Sequence, residues 1–333
     1  TVVIIDPATN EYEIENFSIV ANQSTWFFYL GENVNEYNNT PETILDINHF
    51  NIVDIIKQKP KNDTNGNEIP LGNILNPIEL NNSNFETIKN DLSMHYVLTE
   101  DIDLSKYNNW VPIGCNSPGE GAVYQSFTGS LKGNYHKIIG LKANVPAPIQ
   151  SGNSWKGLFA KLDSGALIEN LSIDCNFEYD HVHEESNDDW DHMVGVVAGE
   201  AINATIKNVQ TSGSIKIGSN GGHTGGEHFT AGIVGKTNGP ALITHCSNSV
   251  QIYTRGNSVA IGGIVGRVNT DGLTISHCYS SSYLEASGLD AGLFANYATR
   301  TGGIVGTGKK CVFTITDCMV YSPEALNAHG ADG

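Results

Sequence analysis

The sequence carries little charge, and most of that charge is negative. Only 16% of the 333 residues are charged, and 18 Lys and Arg stand against 36 Asp and Glu, for a formal net charge of −18. This balance repels nucleic-acid phosphates and anionic lipid surfaces. No apolar run approaches the roughly 20 residues that a helix needs to cross a bilayer. We therefore expect no nucleic-acid partner and no membrane insertion of this segment.

Several metal, nucleotide and redox motifs are also missing. The six cysteines form no Cys-x-x-Cys pair, which argues against a zinc ribbon or a thioredoxin-like redox site. No P-loop or dinucleotide glycine motif separates a strand from a helix, and neither an EF-hand spacing nor a glycine-rich calcium repeat occurs. We therefore expect no organic cofactor.

An internal repeat is the main signal that is present. A short glycine-led apolar motif recurs at steps of 38, 37, 31 and 40 residues, starting at Gly157, Gly195, Gly232, Gly263 and Gly303. A second apolar motif recurs at steps of 38, 37, 32 and 40 residues, starting at Ile168, Ile206, Ile243, Ile275 and Ile315. Because both motifs share one irregular period, each unit keeps its register and the length variation falls elsewhere.

The repeat predicts an all-β fold, a right-handed parallel β-helix over residues 72–333 with about seven coils. Each unit has about 23 residues, enough for three short strands that stack about 4.8 Å from the next coil. The isoleucines should then form one buried column, and Cys246, Cys278 and Cys318 should lie in a neighbouring column as small buried thiols. The leading glycines should permit a tight corner or close backbone packing.

Residues 1–71 lack the repeat and predict a small β-rich cap module with one helix. Dense or alternating apolar residues indicate strands at 2–5, 12–20 and 26–30. A helix is expected over 41–59, between Pro41 at its first turn and Pro60 after its end. A further short helix should start at Ser83, which forms a capping-box pattern with Glu86.

Together with the glycine-led motifs, three further segments resemble those of a known family of repeat proteins. They are Tyr96-Val-Leu-Thr-Glu-Asp-Ile-Asp-Leu104, Trp110-Val-Pro-Ile-Gly114 and Phe127-Thr-Gly-Ser-Leu-Lys-Gly-Asn134. Over roughly residues 72–322 the chain resembles the GLUG-motif repeat proteins, which include bacterial surface adhesins and accessory regions of some immunoglobulin A peptidases. The resemblance implies an extracellular location on a bacterial surface and carries over no catalytic residue. Some relatives bear a zinc peptidase domain, but its His-Glu-x-x-His motif is absent here, and the fragment at His183 lacks the second histidine.

The length variation falls in segments 180–194, 218–231, 255–262 and 286–302. The first, second and fourth of these should protrude from one side of the coil, where function would concentrate. Carboxylates and imidazoles are dense in the first two. A divalent cation such as calcium is therefore one hypothesis, against the simpler interpretation of solvated acidic loops. The candidate metal ligands are His181, His183, Asp188, Asp191 and His192.

The same segments suggest a binding surface, because exposed aromatic rings and carboxylates can hold a glycan. The candidate binding residues are Trp155, Asp188, Asp189, Trp190, Asp191, His192, Glu227, His228, Phe229 and Tyr297. The simpler interpretation is that each aromatic ring covers the coil beneath it.

The sequence thus predicts a secreted adhesin or binding scaffold that is not an enzyme. Its expected partners are a host or cell-surface glycan or protein, or copies of itself. The alternatives are a structural subunit of a surface fibre or stalk, and a polysaccharide lyase or glycosidase. For the enzyme, Asp188, Asp189 and Asp191 are the candidate acids and bases.

Overall fold

The structure is a computed structural model, and it describes most of the chain after residue 66. The described ranges are 67–116, 123–143, 153–181, 191–219, 227–256, 258–288, 299–321 and 327–329, with four short strands before residue 30. The chain divides into two units, residues 1–76 and 77–333. The sequence prediction placed this boundary five residues earlier, after residue 71.

The first unit contains two short antiparallel strand pairs among its described residues. β1 (Ile4–Ile5) pairs with β2 (Tyr12–Glu13), and β3 (Ala21–Asn22) pairs with β4 (Thr25–Trp26). The helix predicted over 41–59 lies outside the described residues.

The second unit is a parallel β-solenoid built from three sheets, and every strand pair within these sheets is parallel. Sheet I comprises β11 (Ser154–Lys156), β14 (His192–Gly195), β17 (Glu227–Ala231), β22 (Ser258–Gly262) and β27 (Thr299–Gly302). Sheet II comprises β8 (Ser126–Phe127), β12 (Phe159–Leu162), β15 (Ala198–Ala201), β18 (Val234–Thr237), β23 (Val265–Val268) and β28 (Val305–Gly308).

Sheet III has 16 strands and forms the remaining sides of each turn. Its strands are β5 (Ile78–Leu80), β6 (His95–Leu98), β7 (Ile102–Asp103), β9 (Ser130–Lys132), β10 (Lys137–Ala143), β13 (Leu167–His181), β16 (Ala204–Ser219), β19 (Ala241–Thr244), β20 (Ser247–Asn248), β21 (Gln251–Gly256), β24 (Leu273–Ser276), β25 (Tyr279–Ser280), β26 (Leu284–Gly288), β29 (Thr314–Thr316), β30 (Met319–Val320) and β31 (Asn327–His329).

The prediction of an all-β parallel β-helix is confirmed, but the number of coils is smaller than expected. Sheet I contributes five strands, so five turns are complete in the described part of the chain, against the seven predicted. β5, β6 and β9 add strands to sheet III before sheet I begins. These strands have the apolar pattern of a coil, but their turns lack a sheet I strand and are therefore incomplete.

The isoleucine column has the predicted register. Ile168 pairs with Ile206, Ile206 with Ile243, Ile243 with Ile275 and Ile275 with Ile315. The first four are buried in the main core, whereas Ile315, on the last described turn, is 41% exposed. Stacking of one apolar residue above another thus covers every member except the last.

The cysteine column is confirmed as a stack of thiols for Cys246 and Cys278, whereas Cys318, on the last described turn, is only half-buried. The described cysteines are all free, and Cys246 and Cys278 are buried. The Cys246 thiol contacts the carbonyl oxygen of Thr244 at 3.3 Å, and the neighbouring Cys278 thiol together with burial raises the pKa of Cys246. A protonated thiol in this position packs as a small apolar side chain.

The glycine-led motif is a corner between sheets I and II. Gly232 follows the last residue of β17, and Val234 begins β18. A Cβ on Gly232 would lie 2.0 Å from Cγ of the buried Asn248, so only glycine fits there. The corner prediction is confirmed, but the alignment of Gly195 with Gly232 is wrong by one residue. The structure pairs Gly195 with Ala231.

Sheet III bends at a column of residues with left-handed backbone. Asn170, Asn208, His245, His277 and Asp317 all have φ between 52° and 54°. Asn, Asp and His tolerate this conformation better than most residues with a side chain. Asn208 Nδ2 donates to Asn170 Oδ1 at 2.8 Å, and the rings of His245 and His277 stack at 4.8 Å. These polar contacts hold equivalent bends in line.

The helix predicted from Ser83 is a 3-10 helix that begins later, η1 (Phe85–Lys89). The capping box is wrong, because Asn84 stands at the N-cap position and the Ser83 hydroxyl donates to Asn81 Oδ1 at 2.6 Å. Phe85 and Ile88 are buried in the same apolar cluster as Leu80 of β5. Packing of these two residues, rather than capping, anchors the helix.

Candidate functional site

The predicted site residues divide into those that the structure describes and those that it does not. His183, Asp188, Asp189, Trp190 and Tyr297 lie outside the described residues, and His181 ends β13 with its side chain outside the description. Trp155, Asp191, His192, Glu227, His228 and Phe229 are described. All six lie on sheet I or next to the start of one of its strands.

Trp155 is held on the outer face of sheet I by two charged residues of sheet II. Lys161 Nζ lies 3.7 Å from the centroid of the Trp155 ring, and Trp155 Nε1 donates to Glu200 Oε2 at 3.1 Å. Lys161 Nζ is also 3.7 Å from Glu200 Oε2. The indole is half-buried, so one part of its surface remains open to solvent.

Two turns further on, Phe229 is covered by the cations of sheet II. The Arg267 guanidinium lies 4.5 Å from the centroid of the Phe229 ring, and Lys236 Nζ lies 5.9 Å from it. Arg267 pairs with Glu227, and Lys236 Nζ lies 3.5 Å from Asp191 Oδ2. Phe229 is therefore buried beneath these cations, whereas the side chains of Asp191 and Glu227 remain partly exposed to solvent.

The two predicted histidines of sheet I are buried. His192 and His228 are 4% and 3% exposed, and their rings stack with centroids 4.9 Å apart. Ser154 Oγ lies 2.8 Å from His192 Nδ1. Because successive side chains of a strand point to opposite faces, His192 lies on the other face from Met193, which packs with Trp155 and Phe229. Neither imidazole is presented to a surface ligand.

Metal binding stays a prediction. Within the described ranges, no group of three or more His, Cys, Asp or Glu is arranged to hold a metal ion. Asp191 immediately precedes His192, the first residue of β14; Asp191 pairs with Lys236, whereas the His192 side chain is buried. His183 and Asp188, two of the other proposed ligands, lie outside the description.

Lys156 is a buried cation at the end of β11, next to Trp155 in the sequence. It is 8% exposed, its Nζ lies 4.9 Å from the centroid of the Tyr179 ring, and burial lowers its pKa from 10.5 to about 8. This decrease in pKa means that burial destabilises the charged form of Lys156 by about 3 kcal/mol in the folded state. The ring contact returns about 1 kcal/mol.

Lys156→Met is therefore expected to raise the free energy of unfolding by about 2 kcal/mol at pH 7. Between pH 8 and the ordinary lysine pKa of about 10.4, the unfolded wild type binds more protons than the folded one. The stability of the wild type should then rise toward that of the variant. Urea unfolding of both proteins at pH 7 and 9.5 measures this, with the exposed Lys137→Met as control. An advantage of Lys156→Met that persists undiminished at pH 9.5 would contradict it.

A groove lies at the ends of the sheet III strands, just before the inserted segments leave. Its volume is about 600 Å³, and it is open to solvent. Two outward columns line it, Glu178, Lys216, Tyr253 and Glu285 in the first, and Gly218, Arg255 and Ser287 in the second. Gly218, between the position of Asp180 and Arg255, leaves a notch in the second column.

The groove combines an aromatic platform with both signs of charge. The Tyr253 ring packs against Tyr283 with centroids 5.1 Å apart, and the Tyr283 hydroxyl donates to Glu285 Oε2 at 2.7 Å. Lys216 Nζ is 4.0 Å from Glu178 Oε1, and both side chains are more than half exposed, so their attraction is weak. Arg255 is exposed and has no ion-pair partner among the described residues.

The sequence prediction missed this groove. The predicted segments include Gly218, Arg255 and Ser287 at or next to their first residues, but the first column of the groove lies on the strand ends that precede them. Alternation in the third strand of each unit was the available signal, because residues 216 and 218 alternate with the buried Ile215 and Ile217.

The chain resembles known proteins at low identity. No family model matches it, so membership of the GLUG-repeat family stays a prediction from the motifs. A segment of 181 residues, 54% of the chain, is 29% identical to Halomucin of Haloquadratum walsbyi, and the chain spans only 2% of that protein's length. A crystal structure of a Bacteroides ovatus protein proposed to be an immunoglobulin A1 protease aligns with 78% of this chain and 79% of its own, at 16% identity and a TM-score of 0.44. Neither similarity assigns an activity or a ligand to this chain.

Proposed function

We propose that this chain is part of a secreted bacterial surface protein that binds a glycan through the flank of its solenoid. The observation that carries the proposal is the groove of about 600 Å³ at the base of the inserted segments. It offers an aromatic ring, two cations and two carboxylates on a rigid set of paired strands. Sugar rings pack on aromatic faces, and charged side chains orient their hydroxyl groups.

Trp155, Asp191 and Glu227 extend the proposed surface onto sheet I. Asp191 and Glu227 stand at the starts of β14 and β17, beside the same inserted segments whose preceding strands line the groove. In the described part of the chain, no helix is long and apolar enough to cross a membrane. Attachment to a cell surface is part of the proposal and rests on the repeat resemblance.

A glycan array followed by calorimetry tests the proposal. Tyr253→Ala is expected to weaken binding of the best glycan at least tenfold, because it removes the aromatic platform of the groove. Tyr135→Ala, at a tyrosine that is 76% exposed elsewhere on the solenoid, is the matched control and should leave the affinity unchanged.

Two results would overturn glycan binding as the function. Absence of binding to any arrayed glycan is the first, and an equal loss of affinity in both tyrosine variants is the second. An assay for new reducing ends accompanies the array, because turnover of a bound glycan would indicate a carbohydrate-active enzyme in place of a binding protein.

A fibre or stalk subunit is the second candidate function. The five complete turns pair along one axis, and stacked turns of this kind make a stiff rod. Sedimentation velocity at increasing protein concentration tests it, with concentration-dependent elongated assemblies as the expected result.

A further inference from the structure

Arg255 has no acidic partner among the described residues, unlike three cations of sheet II. On the outer faces of sheets I and II, Lys161 pairs with Glu200, Lys236 with Asp191, and Arg267 with Glu227. Within the described ranges, no carboxylate takes up the five N–H donors of Arg255.

The neighbours of Arg255 leave room for a ligand group on both sides. Ser287 pairs with Arg255 on the following turn. Gly218 stands beside Arg255 on the preceding turn, one residue after the Ile217 to Thr254 pair. Neither can cover a guanidinium plane. A planar anionic group could therefore approach edge-on within the notch at Gly218 and accept two parallel hydrogen bonds.

Tyr253 and Lys216 stand beside this notch. Tyr253 lies two residues before Arg255 on β21, so both side chains point outward from the same face. Lys216 is paired with Tyr253 on the preceding turn. A sugar ring on Tyr253 would thus place a substituent within reach of the guanidinium.

The two glutamates limit how much negative charge the groove accepts. Glu178 and Glu285 occupy the two ends of the column that contains Lys216 and Tyr253. With a net charge of −18 on the whole chain, a densely sulfated polymer would be repelled. One carboxylate per sugar unit, flanked by hydroxyl groups, fits the arrangement of two cations between two carboxylates.

We infer that the groove selects glycans that carry a carboxylate, with Arg255 binding the carboxylate group and Tyr253 packing against the sugar ring. This inference rests on the proposed function, because it names the ligand class of the same site. It extends that function by assigning specificity to one residue. Lys216 contributes a second, weaker attraction, since its charge is shared with Glu178.

Calorimetry with a glucuronic acid-containing oligosaccharide and its neutral methyl ester tests the inference. We expect the wild-type protein to bind the acid at least tenfold more tightly than the ester. Arg255→Gln should abolish that preference while leaving ester binding within twofold. Arg255→Lys should retain part of the preference, because an ammonium supplies charge without the bidentate geometry. Arg300→Gln removes an exposed arginine on sheet I and serves as the control for net charge.

The outcomes separate the inference from the function on which it rests. Equal affinity for acid and ester, or an equal loss of preference in Arg300→Gln and Arg255→Gln, would overturn the carboxylate specificity and leave glycan binding intact. Failure of both probes and of every arrayed glycan to bind would overturn the proposed function itself. Circular dichroism of each variant confirms that the solenoid is folded before affinities are compared.

Discussion

Replacing Asn248 by aspartate is expected to lower the free energy of unfolding by about 4 kcal/mol at pH 7. Asn248 is buried, and its Nδ2 donates to the carbonyl oxygen of Gly263 at 2.6 Å and to Ser282 Oγ. Its Oδ1 accepts from Thr211 Oγ1 at 2.9 Å and from the Val250 amide at 3.0 Å. Aspartate has the same shape but no donor, so a buried carboxylate would face a carbonyl oxygen.

The pH dependence of this variant gives a second readout. Burial disfavours the charged form and raises the pKa of the new carboxyl in the folded state. The destabilisation therefore grows as pH rises through the ordinary aspartate pKa of about 3.9 and is smaller in acid. Urea unfolding of the variant and the wild type at pH 7 and pH 4 measures the difference.

Asn269→Asp is the matched control for this prediction. Asn269 is half-buried and donates one side-chain hydrogen bond to Asn238 Oδ1 at 2.8 Å, so its replacement should cost less than about 1 kcal/mol. Equal losses at the two positions would show that the buried network around Asn248 contributes no more than a surface hydrogen bond.

The sequence sufficed to predict the stacking of the turns, because the isoleucine motif leaves only one register that buries its apolar residues. Ile168, Ile206, Ile243 and Ile275 are spaced irregularly, yet they pair as predicted. A slip of one residue would turn each isoleucine outward, at the cost of its burial. The hydrophobic effect therefore fixes this register strongly.

The glycine motif did not fix the register, because different turns carry glycine at one, at the other or at both of two adjacent corner positions. A Cβ at Gly232 would meet Asn248, and a Cβ at Gly262 would lie 1.9 Å from the carbonyl oxygen of Val265. Gly195 is equivalent to the second of these positions, since it pairs with Ala231 and Ala231 pairs with Gly262. Glycine at either position looks the same in the sequence.

The candidate site was predicted less well than the fold, since it depends on where each sheet I strand begins. The segments treated as elastic contain the strands of sheet I, whose residues give no clear alternation, as in His192-Met-Val-Gly195. Without that start point, side chains that face inward, such as His228, could not be separated from those that face outward, such as Glu227. The notch at Gly218 depends in turn on the pairing of three consecutive turns.

Ile243→Ala is expected to cost about 4 kcal/mol of unfolding free energy. Ile243 is fully buried between Ile206 and Ile275, so alanine leaves a cavity that two neighbouring turns border. Paired parallel strands on both sides prevent the backbone from closing over it. Urea unfolding followed by circular dichroism measures the loss.

Two control variants separate the effect of burial between turns from other effects of the substitution. Leu242→Ala tests the loss of strand propensity, and Ile315→Ala tests the loss of an isoleucine at the same motif position. Leu242 is the neighbour of Ile243 on β19, is 38% exposed on the outer face, and should cost less than about 1.5 kcal/mol when changed to alanine. Ile315 has the same place in the column, but no described strand pairs with it on its other side, and Ile315→Ala should cost less than half as much as Ile243→Ala. If Ile315→Ala were as costly as Ile243→Ala, the stability could not come from stacking between turns, because in the described part of the chain a further turn covers Ile243 and none covers Ile315.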